Sequence, residues 1–207
     1  QEDEDPVALV IAALREIGAK TLAIDPELPF HFAERIRAAE AMRLVDAMPI
    51  VKQCRMVKSA AELALMQQAK SMTLAVQHAA ARILRPGIRQ SEVVRFIDDA
   101  HRRLGARGSR FCIVQFGEAT AYPHGLPGDR ALEMGQLVLV DTGCTVEGYH
   151  SDITRTYAFG PVSQDVRDIW AVEKEAQQAA FDAVRPGESC ESVDHAARAV
   201  LTKAGLG

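Results

Sequence analysis

Hydrophobic positions in this chain switch between two periods. From Ser59 to about Leu84 they follow a helical pattern, opened by Ser59 and Glu62 at capping-box separation and broken at Pro86-Gly87. A second helical stretch starts at about Ser91, carries Val94, Ile97 and His101 at helical spacing, and ends at Gly105, a position suited to a left-handed C-cap. The text then turns strand-like over Arg110 to Phe116, Leu137 to Asp141 and Tyr149 to Phe159. Helical patterns return from about Gln164 to Val184 and from about Ser192 to Ala204.

This order contains a repeat. Arg85-Pro86-Gly87 recurs as Arg185-Pro186-Gly187, and Gly105 as Gly205, both displaced by 100 residues. Two similar units lie end to end, too large for a solenoid array and suited to an internally duplicated domain. The duplication predicts that helix pairs 59–104 and 164–204 are related by a pseudo-twofold rotation and pack on one face of a curved sheet. It also places the strands of the second unit beyond Gly207. The recurrence alone leaves chance open, because Pro-Gly turns between helices are common.

The first fifty or so residues differ. Pro6 to Ala19 reads as a helix, Thr21 to Asp25 as a short strand, Phe30 to about Glu40 as a helix, and Arg43 to Val51 as an extended exit. This predicts the tail of a separate α/β unit over 1–55, a boundary near Lys52 to Ser59, and a second domain over 56–207.

Composition narrows the function classes. With 48% hydrophobic residues in 207, the chain can bury a sizeable core. Its 24 basic and 28 acidic residues are interspersed, net −4, which removes the basic footprint of a nucleic-acid binder. Cys54, Cys112, Cys144 and Cys190 lie far apart, so neither a zinc ribbon nor a dense disulfide framework is indicated, and a reducing, cytoplasmic compartment fits. No apolar run approaches the roughly 18–20 residues needed to span a bilayer, so no membrane partner is expected. The opening Gln-Glu-Asp-Glu-Asp reads as a point inside a longer chain.

Chemistry concentrates between Tyr122 and Thr156. Leu137-Val138-Leu139-Val140 is a buried-strand run ending in Asp141, followed by a glycine-bounded connection, Gly143 to Gly148, and a second strand through Asp152. If those six residues form the loop, Thr142 faces Tyr149 and Leu139 faces Asp152. Asp141 and Asp152 then share one face, a diagonal step or roughly 7–8 Å apart, with His150, Thr154 and Thr156 beside them. Two bare carboxylates converging this way repel, so they require a cation or a shared proton. The plainer alternative is that Asp141 before Thr-Gly forms a turn and Asp152 caps one.

Other candidates carry less. His31, His78 and His101 sit in helical text and read as structural histidines. Cys144 falls in the connecting loop with no base placed to activate it. Arg155 alternates to the face opposite Asp152, where a structural ion pair is expected. Glu173, Glu175, Glu188, Glu191 and His195 read as solvated helix faces and caps.

The stretch as a whole resembles the pita-bread metallopeptidases, the family of methionine aminopeptidases, Xaa-Pro aminopeptidases and prolidases, with creatinase as a relative. The matching residues are His124-Gly125, Gly135-Gln136, Val140-Asp141-Thr142-Gly143, Gly148-Tyr149 and Ser151-Asp152-Ile153-Thr154-Arg155-Thr156. The resemblance covers roughly Val51 to Gly207 and implies an α+β fold: a duplicated helix and antiparallel-sheet domain preceded by the remnant of an α/β N-terminal domain.

It implies further that Asp141 chelates one divalent ion, that Asp152 bridges two, and that His124 contacts substrate or the developing oxyanion. The ions would favour Mn²⁺, with Co²⁺ or Zn²⁺ able to occupy such a site, and a hydroxide activated by two metals would be the nucleophile. Asp152 to Thr156 resembles the proline-directed branch, Xaa-Pro dipeptidases and aminopeptidases, which implies short proline-containing peptides as substrates and a homodimer. The family's remaining ligands, one His and two Glu, come from the second half of the duplicated domain and have no counterpart here, so this chain alone is expected to be inactive. The alternatives are a non-catalytic interaction module of the same fold, or another hydrolase such as a creatinase-like enzyme.

Overall fold

The structure, a computed structural model, describes residues 4–40 and 42–206. It divides into two compact units, one reaching to Leu63 and the other beginning at Ala64.

The first unit runs α1 (Pro6–Glu16), β1 (Thr21–Ile24), α2 (Phe30–Glu40), β2 (Arg43–Asp46) and α3 (Met48–Met56). Asp5 caps α1 by accepting from the Val7 amide at 3.0 Å, with Pro6 in the first turn, where its missing N–H costs nothing. β1 and β2 pair in parallel from Thr21↔Arg43 to Ile24↔Asp46, over a core of Val7, Leu14, Ile36 and Met42. The extended exit expected through Val51 is corrected: after Asp46 the chain enters α3. Pro49 acts as a helix starter there, and the Asp46 carboxylate accepts from the Met48 amide at 2.7 Å.

α4 (Ala60–Ile83) opens on the capping box that Ser59 and Glu62 predict: the Ser59 amide donates to Glu62 Oε2 at 2.6 Å, and the Glu62 amide to Ser59 Oγ at 3.3 Å. The second unit continues through α5 (Gln90–Arg103), β3 (Ser109–Phe116), a 3-10 turn (Gly117–Ala121), β4 (Gln136–Val146), β5 (Tyr149–His150), β6 (Ile153–Phe159), α6 (Gln164–Ala183) and α7 (Cys190–Lys203). β4 is central, antiparallel to β3 on one side and to β6 on the other, while β5 closes the β4 hairpin.

Alternation along β4 gives the sheet two unlike faces. Val138, Val140, Thr142 and Cys144 are buried, whereas Leu137, Leu139 and Asp141 are half-buried. Val138 and Val140 join a core with Val76 and Ala80 of α4 and Val93 and Ile97 of α5. Burial of each such side chain is worth about 1.5–3 kcal/mol.

One expectation for this unit is revised. β4 does not stop at Asp141 but runs five residues further, because Glu147 and Gly148, at φ 46° and 84°, make a two-residue hairpin of the type whose twist matches paired strands. α4 and α5 cover the Val138 and Val140 side, and the first turns of α6 border a cavity of about 770 Å³ with Leu137, Leu139, Thr156 and Ala158. Gly160, at φ 91°, turns the chain just after β6, and α6 begins four residues later.

Candidate metal centre

The strand register settles how the two aspartates stand to each other. Asp141 pairs with Thr154 and Thr142 with Ile153, while nearer the turn Thr145 pairs with His150 and Val146 with Tyr149. The register is unbroken between these pairs, which sets Asp152 across from Gly143 and diagonal to Asp141, at the roughly 7–8 Å typical of such neighbours. Leu139 pairs with Thr156, not Asp152, and Thr142 with Ile153, not Tyr149. The sequence-based register is therefore off by four residues. Because side chains alternate with period two, an even slip leaves every residue on its expected face.

Burial agrees with that placement. Ser151 and Ile153 are buried toward the helices, while Asp152 and Thr154 are exposed on the other side. Thr154 Oγ1 donates to Asp141 Oδ1 at 2.9 Å, which fixes that carboxylate and leaves Oδ2 available. No Lys, Arg or His pairs with either aspartate among the described residues. A pair of oxygen ligands open to solvent on one sheet face is a donor set that suits a hard divalent cation. Among the described residues no third His, Cys, Asp or Glu joins them.

Gly143 and Ser151 shape the backbone beneath Asp152. A Cβ on Gly143 would lie 1.9 Å from the Ser151 carbonyl oxygen and 2.8 Å from its carbon, so only glycine admits this approach. The Ser151 amide donates to the Cys144 carbonyl at 3.0 Å, and the Cys144 amide donates to Ser151 Oγ at 2.9 Å.

His124 is exposed, on a turn closed by the Gly125 amide donating to the Tyr122 carbonyl at 2.9 Å. Gln115 supports that turn from β3, where it pairs with Leu139: its Nε2 donates to the Pro123 carbonyl at 3.5 Å. Gln115 is 2% exposed, and its buried Oε1 has no hydrogen-bond partner among the described residues. No hydrogen bond or ion pair links His124 to Asp141 or Asp152 among the described residues. The structure thus brings the two aspartates together and sets His124 on a neighbouring loop.

The remaining candidates fall as follows. His150 Nδ1 lies 2.9 Å from Thr145 Oγ1, at the hairpin end of the aspartate face. Cys144 is not in a loop but is a fully buried residue of β4. Arg155 has no carboxylate partner among the described residues; its guanidinium donates to the Thr154 carbonyl at 2.8 Å. His195 and Glu191 face each other at 3.9 Å, both exposed, as on a solvated helix. His101 is fully buried between Thr73 and Ser109, and burial pushes its pKa down, with Asp98 partly opposing this.

Sequence reasoning missed Gln115, and it named Gly143 and Ser151 as motif residues without the backbone roles they play here. The available signal was alternation: Gln115 and Ser151 are polar residues in buried strand positions, and such groups need partners.

A helix pair backing an antiparallel sheet whose other face carries the paired carboxylates, followed by a second helix pair, is the arrangement of the pita-bread fold. The chain belongs to Metallopeptidase family M24, whose profile matches residues 64–207. It is 35% identical to "Probable dipeptidase PepE" of Mycobacterium tuberculosis, over 99% of this chain and 55% of that protein. Among solved structures it is similar to an Xaa-Pro dipeptidase from Bacillus anthracis, with TM-score 0.91 and 26% identity over 98% of this chain and 58% of that one. It is likewise similar to an X-Pro aminopeptidase from Thermotoga maritima, with TM-score 0.89 and 28% identity over 99% and 59%. The chain therefore spans somewhat more than half the length of these relatives.

Proposed function

We propose that the full-length protein is a metal-dependent peptidase that cleaves the bond between an N-terminal residue and proline, in dipeptides or at the start of longer peptides. The observation that carries this is the diagonal pairing of Asp141 and Asp152 on the open sheet face of a chain in this peptidase family. Proline direction draws support from the Asp152 to Thr156 sequence and from the solved relatives named for Xaa-Pro cleavage.

In this reading Asp141 and Asp152 hold two divalent ions, with Mn²⁺ favoured. Bound there, the ions would supply Lewis acidity toward the scissile carbonyl and acidify a water. Thr154 holds Asp141 in its ligating orientation. His124, carried on a turn braced by Gln115, contacts the substrate or the oxyanion that develops on its carbonyl oxygen. Among the described residues only the Asp141 and Asp152 carboxylates converge on the site, so the isolated 207-residue chain is expected to bind Mn²⁺ weakly and to be inactive.

The test is a substrate panel on Mn²⁺-loaded full-length protein: Xaa-Pro dipeptides, longer Xaa-Pro peptides and matched Xaa-Ala dipeptides, each with and without chelator. Chelator-sensitive cleavage of Xaa-Pro over Xaa-Ala is expected. Equal rates on Xaa-Ala would remove the proline direction, and rates unaffected by chelator would remove the metal.

A further inference from the structure

We propose that a buried relay of His101, Thr73 and Ser151, on the helix side of the sheet, positions Asp152 on the opposite side; this rests on Asp152 being a metal ligand. The relay starts in α5, where His101 is fully buried with Nδ1 2.9 Å from Ser109 Oγ and Nε2 3.0 Å from Thr73 Oγ1. Thr73, on α4 and also fully buried, stands 2.8 Å from Ser151 Oγ. Ser151 Oγ then accepts from the Cys144 amide at 2.9 Å.

The last contact changes the backbone. The register sets Cys144 across from Ser151, and the Ser151 amide donates to the Cys144 carbonyl. In a regular antiparallel ladder such a pair exchanges both N–H···O bonds, so the Cys144 amide would donate to the Ser151 carbonyl. Here the Ser151 hydroxyl takes that donor. The freed carbonyl swings over Gly143, where it would lie 1.9 Å from a Cβ. That carbonyl belongs to the peptide joining Ser151 to Asp152, so the plane that launches Asp152 is rotated out of the ladder by a hydroxyl held from α4 and α5. One consequence is visible at this point: Gly143 must lack a side chain, because the Ser151 carbonyl occupies the space a Cβ would fill.

Thr73→Val keeps the shape and removes the bridging hydroxyl, Thr73→Ser restores it, and Ser151→Ala returns the Cys144 amide to the backbone carbonyl. Each is made in the full-length protein, with Asp152→Asn beside them. Mn²⁺ titration of metal-free protein gives the Kd, and thermal unfolding of the same metal-free protein gives Tm. Thr73→Val and Ser151→Ala are expected to raise the Mn²⁺ Kd about tenfold, with Thr73→Ser within about twofold of the parent. A purely structural role would lower the metal-free Tm and leave the Kd unchanged; that result in both variants, with Asp152→Asn still losing Mn²⁺, overturns the relay. Undiminished Mn²⁺ binding by Asp152→Asn would instead overturn the ligand assignment on which the relay depends.

Discussion

Thr154 Oγ1 donates a 2.9 Å hydrogen bond to Asp141 Oδ1 across the β4–β6 ladder, so the residue two places beyond Asp152 holds the other aspartate. Groups that orient a metal ligand commonly influence affinity about 10–100-fold. Thr154→Val in the full-length protein is expected to weaken Mn²⁺ binding about tenfold and Thr154→Ser much less, measured by titration of metal-free protein.

Gly143 and Gly148 separate two reasons for glycine. At Gly143 an added Cβ meets backbone at 1.9 Å; at Gly148 it meets nothing within 4 Å but φ is 84°. Gly143→Ala must push a strand aside, at about 1–3 kcal/mol or more. Gly148→Ala carries only the left-handed backbone strain, roughly 1 kcal/mol. Urea midpoints of the two variants check this order.

Gln77 ties β4 to β6 from the helix side. Its Nε2 donates to the Val140 carbonyl at 3.0 Å and the Ile153 carbonyl at 2.8 Å, and its Oε1 accepts from the Tyr157 hydroxyl at 2.8 Å. Gln77→Leu leaves these buried groups without their side-chain partner, and each unsatisfied group costs about 1–3 kcal/mol. A loss on the order of 3 kcal/mol in chemical unfolding is expected.

What the sequence made legible was periodic. The helices beginning at Ala60, Gln90, Gln164 and Cys190 and the strand at Ser109 follow from spacing and caps that act within one turn or one strand. The shared face of Asp141 and Asp152 followed too, because parity survives an even slip in register. The register itself was not legible, since it depends on Glu147 and Gly148 both adopting positive φ, and Gly143 offered an equally plausible loop start. α3 was hidden because Pro49 reads as a breaker unless its place in the first turn is known. The relay through Thr73, His101 and Ser151 joins residues far apart in the chain, a pairing that only the packing of α4 and α5 on the sheet creates.

His101 gives the fold a pH dependence. Burial lowers its folded pKa below the ordinary value of 6.5, with Asp98 partly opposing. As pH falls below about 6.5, the unfolded chain takes up a proton that the folded chain resists, so stability is full above that pH and is lost as pH drops through the folded pKa. Carboxylates with lowered values, such as Asp98 and Asp129, act below about 4, outside this window. Unfolding followed from pH 8 to pH 5 should therefore show a shallower acid loss in His101→Gln than in the parent, even though the variant starts less stable.

The metal assignment is tested most directly by measuring Xaa-Pro hydrolysis and bound metal together in full-length protein carrying Asp152→Asn. The substitution keeps size and removes the charge. The expected result is loss of bound divalent metal relative to the parent, with hydrolysis reduced by at least about 100-fold. Parent-level hydrolysis with full metal content in Asp152→Asn would contradict the account.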